Sequence, residues 1–350
     1  MVMRGGTSKG AFFLSDDLPA DPEERDALLL AVMGSPDVRQ IDGIGGATPL
    51  TSKVAVINRS VRSDADIDYL FLQVSVDQAL VSDRQNCGNL LAAAAQFAVE
   101  RGLIVVTGAH KSVRVYMSNT DSVATSTFPI KNGVPVYAGT TAIDGVPRPA
   151  ARVQLDFVNI AGSSCGALLP TGSTVDQIDG VAATMIDNGM PVVVMQSTDL
   201  GITGAESPVQ LDRNDALRAR LESIRLQAGH LMGLGDVTEA TVPKLTMVSS
   251  ARGHGDLSTR TFIPHRCHEA IGVLGAVSVA TAALLPGSPA ADVLRKGAGL
   301  DGMIICEHPA GSFTAAVEID TSTNPPTARR SGIVRTARKL MDGVVFPTSL

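Results

Sequence analysis

Residues 86–103 restrict the possible folds more than any other stretch of the chain. Asn86-Cys87-Gly88-Asn89 is a small polar turn; Leu90-Leu91-Ala92-Ala93-Ala94-Ala95 and then Phe97-Ala98-Val99 follow it, and Gly102 comes shortly after. Ala and Leu are strong helix formers. A helix that is apolar on nearly every side has to be buried all round. One continuous helix, stopped by Gly102, is therefore expected here, with a sheet wrapped around it. Its first turn would turn Cys87 and several free N–H groups toward whatever lies above, and such an end attracts anions and favours a thiolate. The expected occupant is a carboxylate-rich small molecule.

A chain of 350 residues exceeds what one core usually supports, so two domains are expected. Aromatic residues make up 3% of the chain with no Trp, the net charge is −6, and no Lys/Arg run exceeds two. Base-stacking platforms and polyanion-binding patches are thereby disfavoured, so no nucleic-acid partner is expected. No apolar run is long enough to span a bilayer, and the opening residues show no secretory pattern. The four cysteines, Cys87, Cys165, Cys267 and Cys306, lie far apart without a CxxC pair. That spacing suits reduced thiols in the cytoplasm better than a disulfide framework.

Along the chain, Asp21 and Glu24 open a helix to about Met33, ended by Ser35-Pro36. Strands are expected at 52–57, 69–76, 113–117, 123–129, 134–137, 153–158, 192–196, 244–248, 259–263 and 311–319. A charged amphipathic helix is expected over 212–231 and a second apolar helix over 271–285; 332–345 carries mixed strand and helix patterns. The two halves resemble each other in order: strand, glycine-rich turn, a strand with Lys near its start (Lys53, Lys244), another strand, then a cysteine at the mouth of an apolar helix (Cys87, Cys267). We expect two similar α/β domains, residues 1–150 and 151–329, with about 330–350 returning to the first. A cleft between the two helix starts would be the natural small-molecule site.

Each candidate group has a plain structural alternative. Residues 5–10 are glycine-flanked, but Ser8-Lys9-Gly10 reverses the Gly-Lys-Ser/Thr order of a phosphate loop, so nucleotide binding is rejected. An ordinary turn or a nest of N–H groups for a carboxylate remains. Cys87 could be an inert core thiol, yet its polar neighbours at a helix start favour a reactive one. Lys53 either faces solvent, by strand alternation, or faces the cleft as a usable base. His265, Cys267, His268, Cys306 and His308 match no zinc spacing, so no metal is expected. Arg266 beside a helix start suits a bidentate carboxylate.

Taken together, Met3-Arg4-Gly5-Gly6-Thr7-Ser8-Lys9-Gly10, Asp42-Gly43-Ile44-Gly45-Gly46, Leu50-Thr51-Ser52-Lys53-Val54-Ala55, Asn86-Cys87-Gly88-Asn89, the run from Gly162 to Pro170, Asp187-Asn188-Gly189-Met190-Pro191 and Pro264-His265-Arg266-Cys267-His268 resemble the PrpF family of isomerases, essentially end to end. The likeness within that family is greatest to the 4-oxalomesaconate tautomerases and Δ-isomerases of gallate, protocatechuate and lignin-derived aromatic breakdown. It implies a diaminopimelate-epimerase-like fold of two pseudo-symmetric domains, each a curved sheet around a central helix, and a reaction without cofactor or metal. It also implies Lys53 and Cys87 as the catalytic pair. Substrate contacts are implied at Arg4, Thr7, Ser8, Lys9, Ser52, Asn86, Gly88, Asn89, Ser164, Arg266 and His268. The implied partner is a small keto tricarboxylate, and a homodimer is left open. Three alternatives stand beside this: a 2-methylaconitate or aconitate cis–trans isomerase, a non-catalytic companion of a dehydratase, and an amino-acid epimerase using Cys267 as a second thiol. Where related sequences carry a Gly/Pro-containing segment, this chain has Ala92-Ala93-Ala94-Ala95-Gln96, expected to straighten the helix.

Overall fold

A computed structural model describes residues 1–84 and 86–347. In chain order its elements are β1 (Val2–Gly5), β2 (Ser8–Leu14), α1 (Pro22–Met33), β3 (Lys53–Arg59), β4 (Ile67–Val74), β5 (Val81–Ser82), α2 (Gly88–Leu91), α3 (Ala94–Glu100), β6 (His110–Met117), β7 (Ser122–Lys131), β8 (Val134–Pro135) and β9 (Arg152–Phe157). They continue as β10 (Asp176–Ile178), β11 (Val181–Asp187), β12 (Pro191–Gln196), α4 (Pro208–Asp212), α5 (Asp215–Leu231), β13 (Lys244–Ser250), β14 (Leu257–Phe262), α6 (Val273–Ala283), α7 (Pro289–Val293), β15 (Met303–His308), β16 (Gly311–Asp320) and β17 (Thr327–Met341). The chain divides into two compact units: Met1–Val158 with the chain from Val334 on, and Asn159–Ile333.

In the first unit β1 and β2 form a hairpin, β2 runs parallel to β3, β3 antiparallel to β4, and β4 parallel to β6. Antiparallel β6, β7 and β9 follow, and β17 pairs with both β9 and β1, so the strands close on themselves. Both faces of β3 are covered. Val54 and Val56 pack with Leu29, Val32 and Met33 of α1 on the outside, so strand alternation sends Lys53, Ala55 and Ile57 to the inside. Helix α1 has its own start and stop: Asp21 accepts the Glu23 and Glu24 N–H groups at 2.9 and 3.1 Å, Pro22 follows, and Gly34 closes the helix at φ 77°.

The apolar segment occupies the inside of this ring, fully buried from Leu90 to Ala95 and again at Phe97 and Ala98. It is not the single straight helix that propensity predicts. The chain tightens between α2 and α3, where the Ala92 and Ala93 N–H groups bond three residues back, to the Asn89 and Leu90 carbonyls at 3.2 and 3.0 Å. Alanine tolerates either path. The walls around the segment decide between them: Gly5 has no side chain because a Cβ there would land on the Asn89 and Leu90 carbonyl oxygens.

The second unit repeats the same order of pairings. Antiparallel β10, β11 and β12 lead to parallel β12–β13, antiparallel β13–β14, parallel β14–β15, and antiparallel β15, β16 and β17. Helix α5 covers one face through Leu217, Leu221, Ile224 and Ala228, packed on Met185, Val193, Met195, Leu245 and Met247. Helix α6 takes the other face, against β11, β12, β15 and β16. Two expectations need correcting here. Residues 332–341 continue as strand, with no helix. Cys267 does not stand at the mouth of α6, whose N-cap is Gly272; it lies earlier, in an isolated bridge to Phe262.

Candidate active site

Cys87 is the N-cap of α2, at φ −129° and ψ 94°, and its sulfur accepts the Leu90 N–H at 3.4 Å. Lys53 Nζ lies 3.5 Å from that sulfur, and Ser8 Oγ lies 4.0 Å from it. All three residues are buried. The three come from the start of β3, the start of β2 and the start of α2, so the meeting point is set by the strand register Gly10↔Lys53 and by the helix lying inside the sheet. Lys53 has no carboxylate partner among the described residues; its ammonium faces the thiol and sits 5.0 Å from the Phe71 ring centroid. An amine and a thiol at hydrogen-bond range, with a helix N–H on the sulfur, can share one proton, so that as an ammonium–thiolate or an amine–thiol pair one group accepts a proton while the other delivers one.

The Cys87 backbone is held from both sides. Asn86 Oδ1 accepts the Cys87 N–H at 2.7 Å, while the Tyr69 hydroxyl donates to the Cys87 carbonyl at 3.2 Å. Tyr69 is fully buried; burial, reinforced by Cys87 beside it, keeps its phenol well above the ordinary range, so it stays a donor.

The β1–β2 turn lies on the first turn of α2. The Thr7 N–H points at Asn89 Oδ1 at 3.5 Å, and Arg335 Nε donates to the same oxygen at 3.1 Å. Gly6, at φ 49°, leaves room for the Asn89 side chain, and a Cβ on Gly10 would come within 2.6 Å of the Lys53 carbonyl oxygen. The Lys9 N–H donates to the Leu50 carbonyl at 3.0 Å, leaving its half-buried side chain near Gly46. Thr7, Ser8, Gly88 and Asn89 are thus gathered around Cys87. Ser52 is fully buried, and its hydroxyl accepts from Gln40 Nε2 at 2.7 Å. Arg4 faces away from buried Met3, as alternation requires. Its Nη1 donates to the Gly6 carbonyl at 2.8 Å and to Thr336, and the residue lines a separate cavity of about 490 Å³ with Arg148 and Arg338.

Ser164, Arg266 and His268 belong to the second unit. The Ser164 and Cys165 N–H groups donate to Oδ2 of fully buried Asp187 at 2.7 and 2.9 Å, which folds the turn and leaves the Ser164 side chain exposed. Burial and Asp187 push the Cys165 thiol up to about 12. Arg266 is exposed; the exposed His268 accepts the Ala270 N–H on Nδ1 at 2.8 Å. Among the described residues, no group of three or more His, Cys, Asp or Glu side chains is placed to hold a metal ion, and no helix is long and apolar enough to cross a membrane.

Sequence reasoning passed over Tyr69 and Arg335. Tyr69 offered no signal beyond an inward strand position. Arg335 did offer one: like Lys53, it is a cation inside an apolar strand run, here Ile333-Val334-Arg335.

The fold is that of a diaminopimelate-epimerase-like protein, built from two units of one topology. The chain belongs to the PrpF family: the family model described as PrpF protein matches residues 1–348. It is 56% identical over 346 residues to the (4E)-oxalomesaconate Delta-isomerase of Novosphingobium sp. (strain KA1), covering 99% of this chain and 96% of that one. It is 54% identical over 345 residues to the 4-oxalomesaconate tautomerase of Pseudomonas putida, covering 99% and 94%. Among solved structures, methylitaconate-delta-isomerase superposes with a TM-score of 0.88 at 32% identity, covering 98% of this chain and 93% of that one.

Proposed function

We propose that this protein is a cofactor-independent isomerase of 4-oxalomesaconate, acting in the breakdown of gallate, protocatechuate and lignin-derived aromatics. The observation that carries the chemistry is Lys53 Nζ at 3.5 Å from Cys87 Sγ, at the start of a buried helix. High identity to an oxalomesaconate Delta-isomerase and an oxalomesaconate tautomerase supports the substrate.

Both named reactions are 1,3-proton shifts. A C–H flanked by a keto group and carboxylates loses its proton to one member of the pair, and the electron pair of that bond moves through the conjugated system onto oxygen. The enolate collapses when the other member delivers a proton two atoms away, and solvent exchange returns the pair to its starting state. Donor and acceptor carbons of an allylic shift lie about 2.5 Å apart, two bonds on, so one pair of neighbouring side chains on one face serves both. Positioned acid–base groups contribute roughly 10²–10⁴-fold, and the N–H groups of the first helical turn add stabilisation of the enolate. Thr7, Ser8, Lys9, Gly88 and Asn89 supply hydroxyl, ammonium and amide donors for a polycarboxylate. Arg4 and Asn86 hold the surrounding backbone, through the Gly6 carbonyl and the Cys87 N–H. A cytoplasmic setting belongs to it as well, because all four cysteines are free thiols.

Proton NMR in D₂O tests this, with fresh 4-oxalomesaconate in one tube and 2-methylaconitate in another. Deuterium incorporation with double-bond migration in the first, lost in Cys87→Ala, is the expected result. Reaction only in the second tube would move the protein to methylaconitate with the same machinery; silence in both would overturn the isomerase assignment.

A further inference from the structure

Asn89 is the second residue of α2, next but one to Cys87, and its side chain has one end fully committed. Oδ1 accepts from Arg335 Nε at 3.1 Å and faces the Thr7 N–H at 3.5 Å. An NH₂ group in that position would meet two donors, so the amide has one tenable orientation, with Nδ2 pointing away from Arg335. Arg335 is itself fixed: it is 7% exposed, its Nη1 donates to the Val334 carbonyl at 2.9 Å, and the next residue, Thr336, receives the Gly6 N–H at 2.9 Å. The positive φ at Gly6 and its missing side chain leave the space that Asn89 occupies.

We propose that Arg335 is the positioning residue of this site: it locks Asn89 so that Nδ2 is presented as the hydrogen-bond donor to the substrate anion at Cys87. The role rests on the isomerase reading above and deepens it. Burial draws the guanidinium down to about 10, which leaves a cation at neutral pH directly behind the amide. A charge there polarises the N–H groups in front of it, and a preoriented donor matters most where negative charge develops, in the enolate.

The test is kinetics on Asn89→Asp, Arg335→Met and Arg335→Lys, with a melting temperature for each and calorimetric binding of citrate as a tricarboxylate probe. Asn89→Asp keeps an acceptor for Arg335 and Thr7 but removes the donor, so kcat drops about 100-fold while the melting temperature holds or rises. Arg335→Met loses about tenfold, chiefly in kcat, and Arg335→Lys recovers most of it, because the retained charge still meets the amide oxygen. Wild-type kcat in Asn89→Asp, or an Arg335→Met variant altered only in melting temperature, overturns the proposal. Should Arg335→Met not fold, Arg335→Gln takes its place, with the same loss expected in kcat and the same result, a change in melting temperature alone, overturning the proposal. Should the wild type turn over neither tricarboxylate, citrate affinity separates the two ideas. A loss of about tenfold in Arg335→Met that Arg335→Lys recovers keeps the positioning role and discards the substrate; equal affinity in Arg335→Met discards both.

Discussion

The inner helix starts differently in the two units, although the strands around it pair in the same order. In the first unit a cysteine caps the helix and a lysine from the start of the third strand lies 3.5 Å from its sulfur. In the second, α6 is capped by Gly272 with no side-chain hydrogen bond, and Cys267 is engaged elsewhere. Its N–H donates to Asp212 at 2.7 Å, and burial pushes its thiol up to about 11, with Arg260 pulling the other way. Lys244 holds the strand position that Lys53 holds in the first unit, yet its Nζ donates to the Thr241 carbonyl at 2.6 Å. Helix α6 is instead pinned along its length: Asn188 Nδ2 donates to Thr281 at 2.8 Å, Ser331 donates to Asn188 at 2.9 Å, and Ser278 donates to the Met190 carbonyl at 2.7 Å. One topology thus offers two equivalent positions, and the side chains use one for a proton-transfer pair and the other to fasten a helix. A matched pair of thiols, as an amino-acid epimerase would want, is not what these two helix starts provide.

The largest effect expected from this contrast is in turnover. Lys53→Ala and Cys87→Ala should each lower kcat by roughly 10²–10⁴-fold, with circular dichroism and melting temperature near wild type. Lys244→Ala and Cys267→Ala should stay within about threefold, since neither group faces a partner for proton transfer. Equal losses from Cys267→Ala and Cys87→Ala would break the asymmetry and restore the two-thiol alternative.

A smaller effect, on the order of tenfold, should appear in thiol labelling. Burial holds Cys165, Cys267 and Cys306 at about 12, 11 and 12, with acidic neighbours adding to the shift. At pH 8 these thiols are protonated, and their thiolate fraction grows about tenfold per pH unit until those values are reached. Iodoacetamide at pH 8 should therefore modify Cys87 first, in step with loss of activity, and label Cys267 appreciably only at higher pH. Mass spectrometry of timed digests reads the order; Cys267 labelled as fast as Cys87 contradicts it.

Much of this was legible in the residues, for local reasons. Asp21, Pro22 and Gly34 mark α1 at both ends, and the repeated order of strands with Lys53 and Lys244 gave away the duplication. What could not be read was decided by packing. Both faces of β3 are covered, so alternation alone left the direction of Lys53 open until α1 was seen to take Val54 and Val56. The turn between α2 and α3 is imposed by backbone pressed against backbone at Gly5, in a segment whose alanines favour an unbroken helix. Cys267 matched Cys87 in the pattern because a cysteine ahead of an apolar run looks the same whether or not it caps the helix. Arg335 reaches Asn89 across 246 residues of chain, a distance no motif spans.

Tyr69 gives the finest test of how much the first helix start depends on being held. Its hydroxyl is buried and donates to the Cys87 carbonyl at 3.2 Å. In Tyr69→Phe the ring still fills its space, so no cavity forms; the loss is one hydrogen bond and an unsatisfied carbonyl, about 1–2 kcal/mol. Denaturant melts should show that loss. If the Cys87 carbonyl anchors the cap, kcat should also drop by a few-fold, because the sulfur is then free to leave the Lys53 ammonium and the Leu90 N–H. A Tyr69→Phe variant that loses stability yet keeps full kcat would show that Asn86 and the helix itself suffice to hold Cys87. The comparison between the units would then rest on the lysine alone.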